Sequence, residues 1–80
     1  MADETLLIMA RDLKRAFGQR VRQLREARGW SQERAEQHIG LHWTYIGQVE
    51  RGERNLTLLS MQKFAKGFRI ELAELFKGLG

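Results

Sequence analysis

Six glycines, Gly18, Gly29, Gly40, Gly52, Gly67 and Gly78, punctuate the chain at intervals of 11 to 15 residues. Glycine is a poor helix former and turns a chain readily, so this spacing suits short helices joined by tight turns. Between the glycines, apolar residues recur at steps of three and four. Leu13, Phe17, Val21 and Leu24 make one helical face that runs out near Gly29. No segment alternates with period two over the length of a strand, and the expected fold class is therefore all-α, with five helices.

Leu6, Met9 and Ala10 extend the first stripe backwards. Either the first helix begins as early as residue 4, or residues 1–12 form a separate turn or arm. Ser31 followed by Gln32, Glu33 and Arg34 reads as a helix start: the hydroxyl can cap free amides, and Glu33 sits at the positive end of the helix dipole. This second helix closes at Gly40, and Leu41 and His42 turn the chain into a third. After Gly52 and the polar loop of residues 53–55, Leu58, Leu59, Met61, Phe64, Ala65 and Phe68 define an apolar fourth helix, and Ile70, Leu72, Leu75, Phe76 and Leu79 a short fifth one.

A chain of 80 residues is one domain, 1–80, and buries only about 60% of its unfolded surface, so a second copy would be a useful source of burial. Residues 70–80 are the expected dimerisation segment. Leu72 and Phe76 can also simply close the core, whereas Leu75 and Leu79 exceed what so short a helix needs, which points to a self-complementary twofold interface.

The absence of cysteine excludes a disulfide scaffold, and the apolar run 6–10 is too short to span a bilayer. Asp3 and Glu4 stand where a secretory signal carries positive charge, so the expected location is the cytoplasm. From Arg11 to Arg28 there are seven basic residues and two acids, within a net charge of +4. Such a run fits a polyanion and fits equally a solvated helix face. His38 and His42 stand four apart, but Gly40 lies between them and no third ligand follows, so no metal is expected. Ser31 and Ser60 are the only serines, and neither a triad nor a carboxylate pair stands out; the chain reads as a protein without catalysis, cofactor or small-molecule effector.

Residues 31–51 thus form two short helices about a tight turn, the geometry that sets a second helix into the major groove of DNA. Ile46 and Val49 can anchor that helix inward, turning Trp43, Thr44, Gly47 and Gln48 outward. Gln48 suits adenine, which a glutamine meets with two hydrogen bonds, and Thr44 offers a hydroxyl and a methyl. Gly47 costs about 1 kcal/mol of helix stability relative to Ala, a cost that close approach to a partner would offset. Trp43 has a second reading as a core aromatic.

The stretches RQLREARGWSQE, IGLHWTYIGQVERGERN, LLSMQKFAKGF and ELAELF resemble the Cro and lambda-repressor-like (XRE-type) helix-turn-helix family over roughly residues 16–77. LHWTYIGQVERGERN is similar in particular to the small controller proteins of restriction-modification operons. The resemblance implies a homodimeric, sequence-specific regulator on a pseudo-palindromic operator. It implies base-reading roles for Trp43, Thr44 and Gln48, backbone contacts from Gln32, Tyr45, Arg54 and Asn55, and a structural ion pair of Arg25 with Glu50. It also implies a dimer interface including Leu72, Leu75, Phe76 and Leu79.

Two departures from the family pattern stand out. Controllers usually carry Arg where this chain has Trp43, so contact with a thymine methyl, or no base contact, replaces a guanine contact. In the second helix the pattern of a large apolar residue and then Ala becomes Ala35 and Glu36. Either that helix turns Ala35 and Ile39 inward, or Glu36 finds a cation. The rival readings of function are an antitoxin-like or adaptor module that binds protein, and a nonspecific nucleoid-type binder.

Overall fold

The apolar spacing resolves into five helices in a computed structural model that describes residues 3–79: α1 (Glu4–Ala27), α2 (Gln32–Ile39), α3 (Trp43–Glu50), α4 (Leu58–Phe68) and α5 (Leu72–Leu75). No strand occurs among the described residues, and no helix is long and apolar enough to cross a membrane. Met1, Ala2 and Gly80, at the ends of the predicted terminal segments, lie outside the described residues.

Local chemistry sets the boundaries. A helix leaves its first four amides without intrahelical acceptors. Asp3 accepts from the Leu6 amide at 2.9 Å, Ser31 from Arg34 at 3.0 Å and Thr57 from Ser60 at 3.1 Å, so α1, α2 and α4 each start where a short oxygen-bearing side chain can cap them. α2 ends at Gly40, whose φ of 79° only glycine adopts cheaply. Residues 4–12 are continuous with α1 and do not form a separate arm.

The core gathers one face from every helix: Phe17 and Val21 from α1, Ala35 and Ile39 from α2, Ile46 and Val49 from α3, Phe64, Ala65 and Phe68 from α4, and Leu75 from α5. Phe17 meets Phe64 edge to face, with ring centroids 6.1 Å apart. Two glycines bring helices into backbone contact. Gly18 lies against the carbonyls of Val49 and Glu50 and seats α1 on the end of α3; Gly67 lies against Ile39 and the His38 carbonyl and seats α4 on α2.

Leu75 departs from its expected role. It is fully buried in the core of its own chain and has no side-chain surface to offer a partner. The reason is periodicity. Leu72, Leu75 and Phe76 follow i, i+3, i+4 and share one face, which packs inward with Leu72 and Phe76 half-buried beside Leu75, and Leu79 comes back onto the core beyond the turn at Gly78, where φ is 84°.

Candidate nucleic-acid interface

Gly40, Leu41 and His42 are all that separates α2 from α3. The sequence at this junction determines how α3 is held. Ile46 and Val49 are buried, so the opposite side of α3 faces solvent, with Trp43 and Thr44 exposed and Gln48 half-buried. Thr44 and Gln48, four apart, stand one above the other. Tyr45 is half-buried; the Arg54 guanidinium lies 5.0 Å from the centre of its ring, a cation–π contact that holds the loop after α3 beside the helix. Asn55 is exposed, but it lies on the rim of a different feature, an apolar groove of about 480 Å³ lined also by Leu13, Phe17, Leu56, Met61, Phe76 and Leu79.

The far end of α3 is fixed by an ion pair. Arg25 donates to both oxygens of Glu50, at 2.6 and 2.9 Å, and to the Trp30 carbonyl at 2.7 Å; Gln32 adds a longer bond to Glu50 at 3.3 Å. The two side chains are only 12% and 5% exposed, so neither charge is well hydrated, and each depends on the other. An acid in the last turn of a helix also faces the negative end of the dipole, a second reason for Glu50 to need a cation. The bond to Glu50 holds the Arg25 guanidinium above its ordinary value against the opposing effect of burial. On the surface below, Arg51 and Glu53 pair at 2.8 Å, which raises the Arg51 guanidinium and lowers the Glu53 carboxyl.

Glu36 follows the first of its two expected alternatives. Ala35 and Ile39 do face inward, and the displaced carboxylate accepts from the Trp43 amide at 2.8 Å. Its partner is thus the positive end of α3 rather than an Arg. An acid of α2 helps to start the helix that follows it.

Gly47 is not part of the outward face. It is buried, and a Cβ there would stand 3.1 Å from Gln32 Oε1 and 3.2 Å from an Arg51 nitrogen. The close approach its glycine permits is therefore to α2 within the same chain.

The basic run 11–28 is a patch in sequence more than in space. Arg20 bonds to the Glu74 carbonyl and carboxylate, Arg25 to Glu50, and Arg28 to the carbonyls of Leu24 and Phe68. Arg11 and Arg22 pair on the surface with Asp12 and Glu26. Arginines spread round a 24-residue helix meet acids and carbonyls from several directions, so only part of the charge in this run is free for a polyanion.

Two features of the surface gave little sequence signal. His42 is the residue that caps α3, accepting from the Thr44 amide at 3.1 Å. Histidine is not a favoured cap, so nothing in the pattern marked it. Leu58 and Leu59 are 71% and 63% exposed on the first turn of α4. Adjacent helical residues cannot both face one core, so spacing signals that one of the two is exposed but not that both are. The two histidines stand in separate environments: the His38 ring stacks on Trp30 at 4.0 Å and His42 beside Trp43.

Residues 21–75 match the family model HTH_3, described as helix-turn-helix. The chain is 38% identical over 80 residues to the control protein C.SmaI of Serratia marcescens, covering all of this chain and 93% of that one. It is 37% identical over 68 residues to the control protein C.BamHI of Bacillus amyloliquefaciens, covering 84% of each. Its fold is similar to the crystal structure of the restriction-modification controller protein C.AhdI from Aeromonas hydrophila, with a TM-score of 0.74 and 48% identity over 79% of this chain and 91% of that one.

Proposed function

The chain belongs to the HTH_3 helix-turn-helix family, a class of DNA-binding transcriptional regulators and not of enzymes, and on that premise we propose that it acts as a homodimer on a pseudo-palindromic operator, as the controller of a restriction-modification operon. One observation carries the reading. Ile46 and Val49 of α3 are turned fully inward, and the helix is braced at both ends by Glu36 and Arg25, leaving Trp43 and Thr44 exposed and Gln48 half-buried on its outward side.

In this reading α3 enters the major groove, and Trp43, Thr44 and Gln48 meet base edges. Gln32, Tyr45, Arg54 and Asn55 contact the DNA backbone on either side. The self-association surface includes half-buried Leu72, Phe76 and Leu79, the last two of which line the apolar groove together with Leu56 and Met61. Exposed Leu58 and Leu59 adjoin it in sequence, and Leu6, Leu7, Met9 and Leu13 on α1 add further unpartnered apolar surface. A twofold axis sets half-sites about 10 base pairs apart. Regulation then follows the protein's own concentration through coupled dimerisation and DNA binding.

Two substitutions test the division of labour on α3 and its loop, read by fluorescence anisotropy on labelled duplexes across a salt series. Gln48→Ala is expected to cost about 1–3 kcal/mol on the preferred site and to relax specificity at one base pair. Equal losses on every sequence would count against direct readout. Arg54→Ala should weaken all duplexes alike and lower the log–log salt slope by about one unit. An unchanged slope would remove Arg54 from the phosphate contacts. A protein-binding adaptor would lack the salt slope altogether.

A further inference from the structure

We propose that His42 is a DNA-contacting residue, its ring oriented by the helix it caps so that Nε2–H donates to an acceptor on the duplex. The inference rests on reading α3 as the DNA-facing helix, and it begins with the proton count on the imidazole. Nδ1 lies 3.1 Å from the Thr44 amide nitrogen and 2.7 Å from Thr44 Oγ1. The amide can only donate, so Nδ1 must carry a lone pair. The neutral ring then holds its single proton on Nε2. Among the described residues no hydrogen bond uses Nε2.

The ring is exposed and stacks beside Trp43, with centroids 5.8 Å apart and planes 28° from parallel. Its free N–H is therefore held at the N-terminal end of α3, the end that helix-turn-helix proteins bring to base edges. Two of the backbone amides that a helix start offers to an anion are already occupied there. The Trp43 amide is taken by Glu36 and the Thr44 amide by His42 itself. Nε2–H adds a side-chain donor beside Thr44 at this end of the helix.

A consequence falls on Thr44. With Nδ1 acting as acceptor, the Thr44 hydroxyl spends its hydrogen on the ring. What Thr44 then presents to DNA is an oxygen lone pair and a methyl, which suits an exocyclic amino group or a thymine methyl and not a base acceptor.

Asparagine and glutamine separate the two ends of the imidazole. Asn places an amide oxygen close to where Nδ1 stands and has nothing at Nε2; Gln reaches towards Nε2 and gives up the cap. The measurement is binding to a fluorescein-labelled duplex carrying the site recovered by selection, alongside thermal unfolding of each variant. His42→Asn should leave the melting temperature unchanged and weaken DNA binding about tenfold. His42→Gln should lower the melting temperature by about 4–8 °C and bind more tightly than the Asn variant at a temperature where both are folded.

If the loss in His42→Asn is equal on all duplexes, the acceptor is a phosphate; if it is confined to one base pair, the acceptor is a base edge. Wild-type affinity in His42→Asn would overturn the proposal and leave His42 as a cap alone, with the DNA-binding reading intact. Failure of the wild type to bind any duplex in a salt-dependent way would remove that reading and this inference together.

Discussion

Glu50→Ala is expected to destabilise the protein by about 3–5 kcal/mol. Glu50 makes no core contact that would explain so large a loss. The cost arises from what is left behind: an Arg25 guanidinium that is 12% exposed, has lost both short bonds to the carboxylate and keeps only the Trp30 carbonyl. For a domain of this size each kcal/mol moves the melting temperature by about 4–8 °C, so thermal unfolding followed by circular dichroism should show a fall of at least about 12 °C. A loss below about 1 kcal/mol would mean that the pair is screened as surface pairs are. Replacing both partners together, Arg25→Met with Glu50→Leu, is expected to be near neutral, because no charge then remains unpaired. The pair would in that case fix the seat of α3 on α1 more than it adds net stability.

Gly18→Ala should destabilise by about 3 kcal/mol, the upper part of the range for overpacking. Helix propensity alone argues the reverse, since Ala favours a helix interior by about 1 kcal/mol over Gly. Packing decides the sign. A Cβ on Gly18 would run into the Val49 carbonyl oxygen and stand 2.7 Å from that of Glu50, and both are backbone atoms of the last turn of α3. Relief requires α1 and α3 to move apart, which would also stretch the Arg25–Glu50 bonds. Denaturant or thermal unfolding reads the outcome directly. A variant more stable than wild type would show that α1 and α3 do not approach as closely as described.

The helices were legible in the sequence because their causes are local. Ser31 caps and Gly40 ends α2 through atoms a few residues away, and Ile46 and Val49 follow from spacing alone. The site was less legible where a residue answers to a partner distant in sequence or to backbone. Nothing in the order of residues shows that Glu36 would find the Trp43 amide, or that α2 would occupy the space over Gly47. Charge counting along α1 overstated the free basic surface because Glu74, Glu50 and the Phe68 carbonyl come to those arginines from 25 to 54 residues away. Leu75 was misassigned for a different reason: its face was predictable from periodicity, but how far that face would be covered depended on how α5 returns over the core after Arg69 adopts a left-handed turn at φ 59°.

The central claim is that α3 reads DNA as a twofold pair. Selection of bound sequences from a random duplex library at moderate salt, using the purified wild-type protein, tests it most directly. The expected result is an inverted repeat whose half-sites lie about 10 base pairs apart. Recovery of a single unrepeated motif, of duplex without any motif, or of no duplex at all would contradict it.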